Sequence, residues 1–137
     1  MHALSPRRFL PLPLAARDEE TRLLLRAMRL WVMLARGCRS PRPAIDSLLG
    51  PAAPALCRLM DEATSAWPDP FVTYPPCATA IAPDEDLLLA LVTDARAGAR
   101  AGFEARIADL LASSDRARLW AAAGRLAAER AGLGWGQ

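Results

Sequence analysis

The stretch "YPPCATAIAPDEDLLL", residues 74–89, holds the densest chemistry in the chain: a cysteine beside two prolines, then three carboxylates running into leucines. Two readings compete, a reactive or metal-bound thiol and a loop meeting the first turn of a helix. The thiol reading fails on charge. A thiolate forms where positive charge is near, and Asp84, Glu85 and Asp86 favour a neutral Cys77. The helix reading uses every residue. Ala82 serves as N-cap, Pro83 takes the first helical position, and the Glu85 carboxylate reaches back to the N-cap amide. Asp84 and Asp86 offset the positive end of the helix dipole. Cys77 is then expected to be a packing thiol that anchors the proline-rich loop.

Other constellations are weaker still. Cys38, Cys57 and Cys77 lie in three separate segments with no CxxC pair, and the one histidine is His2. That pattern supplies neither the four ligands of a metal site nor a Ser–His or Cys–His pair. Neither a glycine-rich phosphate loop nor a nucleophile elbow is present. Asp94 with Asp84 or Glu85 is the nearest approach to an acid–base pair, and solvated charge accounts for it. The expectation is a non-enzyme without catalytic, cofactor or metal residues. Its thiols are expected to be free and buried, in a reducing cytoplasm.

The elements that position these residues follow from composition. With 29 Ala and 22 Leu against 3 Ile and 3 Val, the chain favours helix over strand. Its 137 residues make one domain. All 17 basic residues are Arg, with neither Lys nor Asn, so the arginines stand in for ordinary surface lysines. The net charge of +2 falls short of a nucleic-acid footprint. No run reaches the eighteen or so apolar residues of a membrane span.

Periodicity predicts an all-α bundle of five or six mostly antiparallel helices with one proline-rich loop over 67–82. The first helix runs from Asp18 to Arg36 with acids in its first turn and Gly37 as its stop. Pro43 opens a short helix that Gly50 ends, and a third spans 52–66 with Leu56, Leu59, Met60 and Ala63 inward. The loop contains "FVTY", one candidate strand with nothing to pair with unless another copy supplies it. A helix from Pro83 carries Leu87, Leu88, Leu91 and Val92 on one face. The next uses Phe103, Ile107, Leu110 and Leu111. Ser113 or Ser114 caps the last, which buries Leu119, Trp120, Ala123, Leu126 and Ala127. Residues 133–137 form a tail.

Residues 1–17 form an arm before the single domain, 18–132. Its "SPRRFLPLPLAARDEE" has the arginine pair of an export leader. The short apolar stretch is broken by Pro11 and Pro13 and lacks a cleavage site, so a flexible arm docking on the body is the expectation.

Function is expected in binding. Arg22, Arg26, Arg29 and Arg36 recur at four, three and seven, which makes one stripe on the first helix. Trp31 and Met33 beside it, and Trp67, Phe71 and Tyr74 in the loop, are residue types common in interface cores. A protein partner or a second copy is the principal expectation. Nucleic acid, met by the same stripe with Arg7, Arg8, Arg39 and Arg42, is the alternative. The segment "CRLMDEATSAWPDPFVTYPPCATAIAPDEDLLLALV", with "ETRLLLRAMRL" upstream, resembles an uncharacterised family of small Ala-, Leu- and Arg-rich bacterial proteins. In that family a loop with proline and cysteine precedes a "DE" helix start, matched here by Cys77 and Asp84-Glu85. The resemblance covers residues 19–130 and implies a helical fold in a bacterial cytoplasm, with no activity to carry over.

Overall fold

The computed structural model describes residues 18–132, and its regular structure is helical. The predicted arm over 1–17, with His2, Arg7 and Arg8, and the tail from 133 lie outside the described residues. In chain order the helices are α1 (Glu19–Arg36), α2 (Arg42–Leu49), a single 3-10 turn (Gly50–Ala52), α3 (Ala53–Ala66), α4 (Pro83–Ala97), α5 (Arg100–Ile107) and α6 (Ser113–Gly132). Their apolar stripes converge on one core. Leu56, Leu59 and Met60 of α3, Leu88 and Leu91 of α4, and Leu119 and Leu126 of α6 are all fully buried. Full burial of each such side chain stabilises by about 1.5–3 kcal/mol. α6 packs on both α3 and α4, and α1 closes the bundle against α2, α3 and α4. This is the all-α bundle expected.

The caps show why the helices begin and end where they do. Asp18 is the N-cap of α1, its carboxylate accepting from the Thr21 amide at 2.7 Å. At the other end the sequence misleads by one residue. Gly37 has φ −85°, and the left-handed position falls on Cys38 at φ 57°. The Cys38 amide donates to Ala35 O and the Arg39 amide to Leu34 O, the paired bonds of a Schellman ending with a cysteine where glycine is usual. α4 ends the same way with glycine in place, Gly98 at φ 69°.

Other boundaries shift for local reasons. α5 stops at Ile107, so Phe103, Ile107 and Leu111 are buried but Leu110 turns outward. α6 already includes Ser113, one or two residues earlier than a cap at Ser113 or Ser114 requires. Trp120 is only half-buried, edge-on to Phe103 at 5.0 Å with the Arg100 guanidinium 4.9 Å from its ring centre. No strand forms among the described residues, "FVTY" included.

Candidate functional site

At 100° per residue, Arg22, Arg26, Arg29 and Arg36 fall within an arc of about 80° on α1. A free helix would present all four to solvent. The structure exposes Arg22, Arg26 and Arg36 and buries Arg29 to 1% of its surface, because the loop between α3 and α4 crosses the stripe at that point. There Arg29 Nη1 donates to Ala78 O at 2.8 Å and Nη2 to Ala80 O at 2.6 Å. Its Nε and Nη2 grip the two oxygens of Glu85, at 2.8 and 3.0 Å.

Glu85 is completely buried, and its four acceptor positions are filled. Besides Arg29, it takes the Ala82 amide at 2.8 Å and the Tyr74 amide at 3.1 Å. The bond to Ala82 is the cap anticipated for the acidic triplet. Ala82 has no side-chain acceptor to return it, so the capping box is half made. The bonds to Arg29 and Tyr74 were not anticipated. A buried charge is costly unless paired and fully hydrogen-bonded, and here both conditions hold.

The pair explains how a loop without a strand partner keeps its shape. Asp84 accepts from the Val72 amide at 2.8 Å and Glu85 from Tyr74, two residues on. Amides two apart pointing the same way are the alternation of extended backbone. On the opposite side Arg36 donates to Phe71 O. Side chains of α1 and α4 therefore replace the neighbouring strand that "FVTY" lacks. Cys77 has no part in this anchoring. It occupies the turn closed by the Ala78 amide on Pro75 O and is exposed.

The three thiols are free, and they are not all buried: Cys38 and Cys77 are exposed because both sit in turns, and Cys57 is half-buried beside the core. Burial pushes the Cys57 thiol above its ordinary value, with the Arg42 guanidinium opposing that shift. Among the described residues no group of three His, Cys, Asp or Glu side chains converges as metal ligands would.

The nine residues singled out in the sequence now separate. Trp31, Trp67, Phe71 and Arg29 belong to the interior: Trp67 and Phe71 stack edge-to-face at 5.0 Å and tie the start of the loop to the core. Arg22, Arg26, Met33, Arg36 and Tyr74 remain outside or half-outside, and the structure brings them onto one face. That face is concave. A pocket of about 480 Å³ lies along the first half of α1, lined by Glu19, Arg22, Leu23, Arg26 and, across from them, Pro76. A second, of about 330 Å³, continues along Met33 and Arg36 with Tyr74, Pro75 and Pro76 as its far wall. Both include Arg29 and Pro76, so they form one trough between α1 and the pinned loop. Met33, 49% exposed, stands in it. No described helix is long and apolar enough to cross a membrane. No family model, curated protein or solved structure matches the chain.

Proposed function

We propose that this protein is a small, non-enzymatic helical module that binds another polypeptide along the trough between α1 and the loop over 67–82. The observation that carries this reading is the investment in holding that loop. A completely satisfied buried ion pair fixes the trough's far wall, and pre-formed walls reduce the ordering cost of binding. The trough combines an exposed methionine, a half-buried tyrosine and prolines with flanking arginines, the mixture of apolar centre and polar rim found at interfaces.

A second copy is the poorer occupant of this face. Two-fold pairing of α1 on α1 would set the same arginines against one another. Nucleic acid is also the poorer fit, because Arg29 is consumed internally and Glu19 stands among the remaining arginines.

The test is a photo-crosslinking amino acid placed at Met33, with one at Arg125 on the surface of α6 as control, in the full chain expressed in its source cells. The expected result is a discrete adduct from position 33 alone, at a mass other than twice that of the chain. An adduct at twice that mass would assign the face to self-association. No adduct, or equal adducts from both positions, would refute the reading.

A further inference from the structure

We infer that the resting occupant of the trough is the chain's own segment "FLPLPLAA", residues 9–16, and that a second polypeptide binds by displacing it; the displacement, though not the docking, rests on the reading of the trough as a binding face. Attachment sets the first requirement. Asp18, the N-cap of α1, has extended backbone, and the next residue, Glu19, already lines the trough. The residues before Asp18 are therefore tethered at the trough's mouth. A short tether supplies an effective concentration on the order of millimolar, so contacts too weak to hold a free peptide hold an attached one.

Charge sets the second requirement. Arg26 and Arg36 are exposed on the α1 wall and disfavour a basic occupant. The cations of the arm, Arg7, Arg8 and Arg17, all lie outside the run, and residues 9–16 carry no charge. Their leucines and Phe9 match the apolar part of the walls, Leu23, Met33, Tyr74, Pro75 and Pro76. Length sets the third. The trough ends at Arg36, about 27 Å along the helix axis from Asp18. Pro11 and Pro13 favour the polyproline conformation, which has little freedom left to lose on docking and suits grooves with an aromatic wall. At about 3.1 Å per residue, a chain running back along α1 from Asp18 has Leu10 or Pro11 level with Met33 and reaches Arg36 at Phe9. The uncharged run ends where the trough ends, with Arg8 beyond it.

The experiment uses the purified full chain with a photo-crosslinking amino acid at position 33. Trypsin cleaves after Arg8 and Arg17 and releases residues 9–17 as one peptide. The expected product, at the mass of a single chain, joins that peptide to residues 30–36. The double variant Leu10→Ser, Leu12→Ser should lower its yield at least fivefold, and Leu4→Ser should leave it unchanged, with both variants folded by far-ultraviolet circular dichroism. In the source cells the double variant should raise the partner adduct from position 33 at least threefold. If the two peptides are not joined, or are joined only at twice the chain mass, the docking is overturned, and a partner adduct in cells still supports the binding face. A partner adduct of equal yield with and without the two serines overturns the displacement. If the peptides are joined in the purified chain but neither form gives a partner adduct in cells, the binding face and the displacement fall and the docking stands.

Discussion

Replacing Arg29 by Met removes a cation but keeps most of an apolar stem, and the structure specifies what is lost. Four hydrogen bonds go: two to Glu85 and one each to Ala78 O and Ala80 O. Glu85 is left completely buried with two amide donors and no cation. Breaking one side of a buried pair costs about 3–5 kcal/mol. With a urea dependence of about 2 kcal/mol per molar, the unfolding midpoint should fall by about 2 M. Glu85→Gln keeps the shape but gives up the charge that Arg29, Tyr74 and Ala82 all address, and should cost about 2–3 kcal/mol. Because both substitutions break the same contact, the double variant should fall short of their sum by at least 1 kcal/mol. Urea titration followed by far-ultraviolet circular dichroism measures all three. Losses below about 0.5 kcal/mol, the scale of ordinary surface changes, or strict additivity would refute the reasoning.

Further expectations concern the thiols and the end of α1. Cys57, half-buried with its thiol pushed up by desolvation, should react with iodoacetamide at neutral pH more slowly than the exposed Cys38 and Cys77, as mass spectrometry of the labelled peptides would show. A raised thiol pKa in the folded chain makes a contribution to stability that is complete below the unfolded thiol's ordinary value. It is lost as pH rises through the folded value, so Cys57→Ala should flatten the stability profile on the alkaline side. Cys38→Gly, at φ 57°, should raise stability by about 1 kcal/mol in a thermal melt, since a side chain in that conformation is strained. The matching Gly98→Ala, at φ 69°, should lower it by a similar amount.

How much could be read from the residues alone varied with the range of the interaction involved. Helix periodicity, the acids of first turns and the half-cap of Glu85 are contacts within four residues, and the alternation of types displays them. The left-handed stop of α1, expected at Gly37, was displaced to Cys38 because the position of the left-handed residue depends on which carbonyls are still free, a one-residue matter that composition does not resolve. Arg29 shows the limit most clearly. Its spacing places it with Arg22, Arg26 and Arg36, and only a loop 49 to 51 residues away removes it from solvent. The one clue was "FVTY": an extended segment with no strand to pair with still has amides to satisfy, and the carboxylates at Asp84 and Glu85 were the nearest acceptors. Trp67 and Phe71 were misplaced to the surface for a related reason. The loop's prolines suggest exposure, whereas its first aromatic residues are drawn into the core.

Hydrogen exchange at the Tyr74 amide tests the anchoring of the loop most directly. This amide lies in neither helix nor strand, and among the described residues its acceptor is the Glu85 carboxylate. In the native chain its exchange should be slowed at least a hundredfold relative to an unstructured peptide, and in Arg29→Met, where Glu85 loses its cation and the loop two of its carbonyl anchors, it should be at least tenfold faster than in the native chain. Rapid exchange of Tyr74 in the native chain would contradict it.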